Sequence, residues 1–149
     1  MNSTSQYELT IVVPVYNEQE NMERLEQELG RYISVSSMRS CVLFVDDGSR
    51  DRSGEYIKTI CSRCDHFYYI SLAKNSGLSA AIKAGIDVTE SPYIGYIDAD
   101  LQTSPEDFEL LIPYARDWDF PRHFTATYPL KKAALSCSDS NIYVLLIVS

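Results

Sequence analysis

Four apolar runs, each followed by a segment of helical periodicity, constrain the fold of this chain most strongly. The first run, Leu9–Val15, is rich in β-branched residues and shows no alternation with polar residues. A strand of this composition is covered on both faces, as in a parallel sheet. The other runs occupy residues 41–45, 67–72 and 93–97. We therefore predict four buried strands.

The segments between these runs carry helix signals. Asn17 and Asp51 are candidate N-caps of the first and second helices, and Ser104 followed by Pro105 begins the fourth. Pro113 is expected to end or kink that fourth helix. Strict alternation of strands and helices predicts an α/β fold with a parallel sheet and right-handed crossovers.

The net charge excludes a general affinity for polyanions. The formal charge of the 149-residue chain is −8, so no broad basic field is available for a nucleic acid or an anionic membrane surface. An acidic protein that binds a phosphate ligand needs a metal ion, a helix N-terminus or a few placed basic side chains. Nucleic acid is therefore not expected as a partner.

The cysteines and the apolar runs indicate a cytoplasmic protein. The four cysteines are scattered, and the first residues show no signal-peptide pattern. Residues 142–148, the longest late apolar run, fall far below the roughly 20 residues of a membrane span, so we predict no transmembrane segment in this chain. Cys61 and Cys64 have the spacing of a redox or zinc half-site, but without a second pair a reduced structural role is favoured.

Polar clusters follow three of the four predicted strands. Residues 14–18 read Pro-Val-Tyr-Asn-Glu, residues 46–49 Asp-Asp-Gly-Ser, and residues 98–102 Asp-Ala-Asp-Leu-Gln. Paired carboxylates at the end of a buried strand are costly unless they meet solvent, a cation or hydrogen-bond donors. The carboxyl ends of parallel strands lie at one edge of a sheet, where ligands bind. We expect the three clusters to meet there.

The acidic residues of these clusters have two interpretations each. An extended turn would aim the oxygens of Asp98, Asp100 and Gln102 the same way and form a site for Mg²⁺ or Mn²⁺, or the acids cap the next helix in solvent. Asp46 and Asp47 are candidate acceptors for a nucleobase or ribose, or they form a turn and a helix cap.

Together, the three clusters resemble those of family 2 glycosyltransferases, and the resemblance covers residues 9–118. It is greatest for the branch that transfers a sugar from a nucleotide to a polyprenyl or dolichyl phosphate. It implies an α/β, GT-A-like sandwich of the nucleotide-diphospho-sugar transferases, with a mostly parallel sheet, here truncated. It further implies a nucleotide-sugar-binding domain over residues 1–118 and an atypical tail over residues 119–149.

The resemblance also assigns residues to roles. It implies a nucleotide-sugar site formed by Pro14, Tyr16, Glu18, Val45, Asp46, Asp47, Lys74, Asp98 and Ala99. It implies Mg²⁺ or Mn²⁺ held by Asp98, Asp100 and Gln102, with Asp98 and Asp100 as catalytic residues. Lys74 would reach the diphosphate, although a solvated loop lysine is an equal alternative.

The implied reaction is a single displacement with inversion, in which a UDP- or GDP-linked sugar passes to the acceptor. A lipid phosphate is already an oxyanion and needs mainly positioning, so no general base is assigned. Transfer to a lipid implies a position at the cytoplasmic membrane face. The alternative function is a truncated, non-catalytic nucleotide-binding remnant or an interaction protein, and exposed apolar surface would then favour a homodimer.

Two other α/β classes explain the clusters less well. A receiver-like signalling domain would leave residues 14–18 and Gln102 without a purpose. A nucleotidyltransferase would show a glycine-rich, basic phosphate loop after the first strand, where this chain has Val15-Tyr16-Asn17.

Overall fold

The computed structural model describes residues 3–117, 131–136 and 143–148. A short 3₁₀ helix, Thr4–Gln6, precedes the first strand, and another, Pro105–Asp107, leads into the last helix. The remaining elements are β1 (Leu9–Val15), α1 (Met22–Val35), β2 (Ser40–Asp46), α2 (Ser53–Arg63), β3 (Phe67–Ser71), α3 (Leu78–Val88), β4 (Tyr93–Tyr96), α4 (Phe108–Asp117), β5 (Lys131–Ser136) and β6 (Tyr143–Val148).

The strands form one six-stranded sheet in the order β3-β2-β1-β4-β6-β5. β1 pairs in parallel with β2 and β4, and β2 pairs in parallel with β3. In register, Val13 lies opposite Phe44, and Ile11 lies between Val42 and Gly95. The predicted α/β fold with a mostly parallel sheet is confirmed.

Two strands of the predicted tail extend the same sheet. β6 pairs antiparallel with β4, and β5 pairs antiparallel with β6. The sequence showed only an apolar stretch in this region, because the pairing depends on a partner about 50 residues away. The predicted domain boundary at residue 118 lies outside the described residues.

The helices cover the two faces of the sheet unequally. On one face, α1, α2 and α4 bury a large apolar cluster that includes Tyr32, Phe44 and Phe108. On the other face, α3 packs Ala81 against a smaller cluster around Val12. Because a fully buried large apolar side chain stabilises the fold by about 1.5–3 kcal/mol, the larger cluster contributes more to stability than the smaller one.

α3 approaches the sheet closely because it carries a glycine at the contact. A Cβ at Gly85 would come within 2.7 Å of Val12 Cγ1 and 3.1 Å of Val45 Cγ2. Any larger residue would push α3 away from β1 and β2. This contact sets the distance between the sheet and α3, the start of which borders the carboxyl edge of the strands.

One predicted helix cap is wrong, and of the two effects expected of Pro113, the structure excludes an end of the helix at that residue. Asn17 does not cap α1, which begins five residues later with Asn21 at the N-cap position; Asn17 instead has a φ of +53°. Pro113 does not end α4, which continues to Asp117. Pro113 lies on the exposed side of the helix, where water can bond the backbone carbonyl that its missing N–H leaves unpaired.

In the described part of the chain, no helix is both long enough and apolar enough to cross a bilayer.

Candidate functional site

The carboxyl ends of β1, β2 and β4 border a cleft of about 380 Å³. The cleft lies where the chain, after building β2 and β3 on one side of β1, places β4 on the other side. Such a topological switch point is where ligands bind in open α/β sheets. The lining residues are Pro14, Val15, Tyr16, Glu18, Asp47, Asn75, Gly77, Leu78, Ala81, Asp98, Ala99 and Asp100.

The loop after β1 brings Tyr16 and Glu18 to this cleft. Asn17 between them has a left-handed φ of +53°, a conformation that asparagine adopts more readily than most residues. Tyr16 is 40% exposed, which leaves its ring available to a ligand. The Glu18 carboxylate accepts a 2.7 Å hydrogen bond from Asn21 Nδ2.

The loop after β2 presents Asp47, which is only 3% exposed. Its carboxylate accepts hydrogen bonds from the N–H groups of Ser76 (2.8 Å) and Gly77 (3.0 Å). The close approach of these segments requires Gly48, whose φ is +70°, because a Cβ there would lie 2.6 Å from the backbone of residues 74–75. Asp47 therefore both lines the cleft and fixes the segment that leads into α3.

Three residues assigned to the nucleotide lie outside the lining. Val45 is buried and faces α3 near Gly85. Asp46 is 8% exposed and accepts a 2.9 Å hydrogen bond from the N–H of Ser49 through Oδ1, so it serves the turn. Lys74 is exposed, and its backbone packs against Gly48. In the described structure, none of these three residues lines the cleft.

The loop after β4 turns instead of remaining extended, so the predicted extended arrangement is wrong. Leu101 has a φ of +50°, its N–H bonds to the Asp98 carbonyl at 3.3 Å, and its buried side chain points into the core. Asp98, Ala99 and Asp100 line the cleft, whereas Gln102 does not. The Gln102 N–H donates to Asp100 Oδ1 at 3.2 Å.

Two neighbours orient this loop. Arg24 of α1 donates from Nη2 to the Leu101 carbonyl at 3.2 Å. The Tyr96 hydroxyl donates to Asp98 Oδ1. Neither residue carried a signal in the sequence, because Tyr96 reads as an ordinary strand residue and Arg24 as an exposed helical one.

The electrostatics of the cleft are one-sided. Its described lining includes four carboxylates, from Glu18, Asp47, Asp98 and Asp100, and neither lysine nor arginine. A diphosphate would be repelled here unless a cation came with it. The site by itself therefore favours a ligand that carries or shares a cation.

The loop after β4 offers the cleft two carboxylates for a divalent cation. Within residues 3–117, 131–136 and 143–148, no three His, Cys, Asp or Glu side chains are grouped so as to hold a metal ion. Mg²⁺ sites, however, often use one or two carboxylates and take their remaining ligands from substrate phosphates and water. Asp98 and Asp100 form such a pair, so the cleft fits an ion shared with a diphosphate.

Besides Val15, which belongs to the first polar cluster, four lining residues were not among the predicted site residues. They come from the start of α3 and the loop before it: Asn75, Gly77, Leu78 and Ala81. The available signal was positional, because the loop after β3 lies at the same sheet edge as the three polar clusters. Leu78 is 53% exposed and gives the cleft an apolar wall.

The cysteine pair and the histidine that can be described lie away from the cleft. Burial, with repulsion from Cys64, raises the pKa of Cys61 to about 12, so this thiol stays protonated near neutral pH. His66 Nδ1 is 3.0 Å from the Tyr7 hydroxyl at the opposite end of the sheet. His123, which was left without a role, lies outside the described residues.

The family model for glycosyl transferase family 2 matches residues 10–120, which is well over half of the chain. The chain belongs to glycosyltransferase family 2. This confirms the resemblance seen in the three polar clusters and accounts for their common sheet edge.

Among curated relatives, this family 2 chain is similar to the undecaprenyl-phosphate 4-deoxy-4-formamido-L-arabinose transferase of Pseudomonas syringae pv. syringae. The two are 34% identical over 108 residues, which are 72% of this chain and 32% of the relative. The chain thus spans about a third of the length of the curated relatives that it matches.

Solved structures with the same fold also belong to longer chains. The mannosyltransferase PcManGT of Pyrobaculum calidifontis, in complex with GDP-Man and Mn²⁺, aligns with a TM-score of 0.65 at 17% identity, over 74% of this chain and 33% of its own. TarS 1–349 of S. aureus with UDP-GlcNAc aligns with a TM-score of 0.62 at 18% identity, over 74% and 31%. These similarities confirm the predicted GT-A-like fold.

Proposed function

We propose that this chain forms the donor-binding part of an inverting glycosyltransferase that transfers a sugar from a nucleoside diphosphate to a polyprenyl phosphate. The observation that carries the proposal is the cleft at the switch point, which gathers four carboxylates and no described basic residue. Such a cleft suits a diphosphate that binds with Mg²⁺ or Mn²⁺. The undecaprenyl-phosphate transferase among the relatives supports the lipid phosphate as acceptor.

The proposed roles follow the position of each residue. Tyr16 and Glu18, beside Pro14, border the base, and Asp47 accepts from base or ribose. Asp98 and Asp100 hold the cation, with Ala99 close to the ribose and diphosphate. Gln102 would have to rotate toward the cleft to join them.

The reaction asks two things of these residues. A divalent cation, when bound, stabilises the negative charge that develops on the departing nucleoside diphosphate. Asp98 and Asp100 would hold that ion, and Tyr16 and Asp47 would hold the nucleoside, so the leaving group would be fixed before the bond breaks. An acceptor phosphate oxygen that attacks from the opposite side of the sugar inverts the anomeric carbon.

Calorimetry of UDP and GDP binding tests the metal assignment. We expect binding with Mn²⁺ and at least about tenfold weaker binding in chelator, because the carboxylates would then repel the diphosphate. Asp100→Asn should weaken binding in Mn²⁺, whereas Asp65→Asn, which removes an exposed carboxylate away from the cleft, should not. Equal affinity with Mn²⁺ and with chelator would contradict the metal assignment.

Thermal protection tests the nucleoside assignment. UDP or GDP should raise Tm in Mn²⁺ more than pyrophosphate does, because Tyr16 and Asp47 contact only the nucleoside. Equal protection by pyrophosphate would contradict those roles.

Transfer and inversion are checked with labelled UDP- and GDP-sugars, polyprenyl phosphate and NMR of the product anomer. Homodimer formation stays a prediction that analytical ultracentrifugation can test. A location at the cytoplasmic membrane face stays a prediction that vesicle sedimentation can test.

A further inference from the structure

The loops after β1 and β2 exchange hydrogen bonds, mostly between residues that do not line the cleft. In one direction, backbone N–H groups of the first loop donate to side chains of the second: Asn17 to Ser49 Oγ (3.1 Å), Glu18 to Ser53 Oγ (2.8 Å) and Gln19 to Asp51 Oδ2 (3.2 Å). In the other direction, N–H groups of residues 50–52 donate to the side chains of Asn17 and Gln19. We name residues 17–19 and 49–53 the loop clamp.

Asn17 lies at the centre of the loop clamp. Its Oδ1 accepts the N–H groups of Arg50 at 2.9 Å and Asp51 at 3.4 Å, while its own N–H donates to Ser49. Its φ of +53° turns the chain so that the residues before and after it reach the cleft. The Asn17 side chain itself is outside the lining.

We infer that Asn17 is a positioning residue for the nucleoside half of the donor, an inference that rests on the proposed function of the cleft. Its neighbours Tyr16 and Glu18 line the cleft, and so does Asp47, which lies just before the other half of the clamp. By joining the two loops, Asn17 fixes these three groups relative to one another before a ligand arrives. A site ordered in advance does not lose that conformational entropy on binding.

Two substitutions separate the acceptor oxygen of Asn17 from its backbone conformation. Asn17→Asp keeps an oxygen at the same place and tolerates the left-handed φ. Asn17→Gly keeps the φ without strain but removes the oxygen. If the oxygen positions the loops, only Asn17→Gly should impair the site; if the φ alone matters, neither should.

The clamp is tested first without any nucleotide, by amide hydrogen exchange of the whole chain. The N–H groups of Arg50 and Asp51 should lose protection by about tenfold or more in Asn17→Gly and keep it in Asn17→Asp. Unchanged protection of both groups in Asn17→Gly would show that the clamp does not hold the second loop.

The positioning role is tested by the affinity for UDP or GDP in Mn²⁺, at a salt concentration that screens the added charge of Asn17→Asp. We expect about tenfold weaker binding for Asn17→Gly and a change below about threefold for Asn17→Asp. Ser36→Ala is the control for stability, because Ser36 bonds Glu109 at the amino end of the sheet. It should lower Tm and leave the affinity unchanged.

The outcomes distinguish the two hypotheses. Lost amide protection with unaltered affinity in Asn17→Gly would overturn the positioning role and leave the clamp as a structural contact. Equal loss of affinity in Asn17→Asp and Asn17→Gly would show that the oxygen is not responsible. A wild-type chain that binds neither UDP nor GDP would overturn the proposed function and the positioning role with it, while the exchange result still decides whether the clamp exists.

Discussion

On one side of the cleft, the loops after β1 and β2 hold each other through the loop clamp; on the other side, residues 98–102 are held mainly by their own turn. There, Leu101 bonds back to Asp98, and Gln102 bonds back to Asp100. Arg24 of α1, which lies outside β4 and its loop, donates a hydrogen bond to the Leu101 carbonyl. Both sides contain a non-glycine residue with positive φ, Asn17 and Leu101.

This difference matches what the two sides are proposed to bind. Recognition of a nucleoside requires fixed distances between several groups, so hydrogen bonds between the loops are useful there. A cation draws its ligands together itself and takes part of its coordination from phosphate and water. Asp98 and Asp100 can therefore depend on fewer protein contacts. Each variant below weakens one side and leaves the other as the reference.

Gly48→Ala should have the largest effect. The new Cβ would lie 2.6 Å from the backbone of residues 74–75 at a φ of +70°, so it adds both a clash and a strained conformation. We expect a loss of about 2–4 kcal/mol in the free energy of unfolding, measured with denaturant. Gly30→Ala, whose Cβ would meet Phe67 only at 4.0 Å, should not destabilise. An unchanged midpoint for Gly48→Ala would contradict the close approach.

Ser53→Ala should have the next largest effect. Ser53 is fully buried, and its Oγ accepts the N–H of Glu18 at 2.8 Å. Removal of the hydroxyl leaves that N–H without its partner, which costs about 1–3 kcal/mol. Ser62→Ala on the exposed face of the same helix is the control. Nucleotide affinity should fall in Ser53→Ala alone, and equal affinity in both variants would argue against a contribution from this bond.

Arg24→Met should act on the β4 side and affect binding more than stability. Arg24 is 54% exposed, so its ion pair contributes less than about 1 kcal/mol. When the Arg24 guanidinium is removed, the Leu101 carbonyl loses its hydrogen bond to α1. We then expect roughly threefold weaker nucleotide binding in Mn²⁺. Arg31→Met removes another exposed ion pair of α1, with Glu106, and should leave the affinity unchanged. Identical affinities in the two variants would refute the role of Arg24.

Asp51→Asn should have the smallest effect, and the effect depends on pH. Burial alone would raise the pKa of Asp51, but hydrogen bonds from the side chain and N–H of Ser53 and the N–H of Gln19 outweigh it, so the pKa is lowered. Asp51 therefore stabilises the fold above the unfolded pKa of about 3.9, and this contribution is lost as the pH falls through the folded pKa.

The Tm of wild type should accordingly exceed that of Asp51→Asn modestly at pH 6, and the difference should shrink by pH 3. The exposed Asp65→Asn variant controls for the loss of one charge. A Tm difference that stays constant from pH 6 to pH 3 would mean that ionised Asp51 does not stabilise the loop clamp.

Local sequence patterns were enough to predict the order of elements, the burial of β1 and β2 on both faces, and the sheet edge at which the polar clusters meet. These properties depend on local periodicity and on the parallel connection rule, so they can be read from neighbouring residues. The same clusters sufficed to predict the family. The turn at Gly48 also followed from sequence, because a glycine after paired aspartates marks a position of unusual φ.

Which residues of each cluster line the cleft depends on tertiary contacts, and local patterns did not predict it. Asp46 and Asp47 are adjacent, yet one bonds its own turn and the other meets the segment before α3, 29 and 30 residues away. Asparagine is a common helix-cap residue, but the Asn17 side-chain oxygen accepts hydrogen bonds from backbone N–H groups 33 and 34 residues away. Gln102 lies outside the cleft lining, next to Leu101, whose side chain is buried in the core. Each outcome depends on partners distant in sequence, which no local pattern specifies.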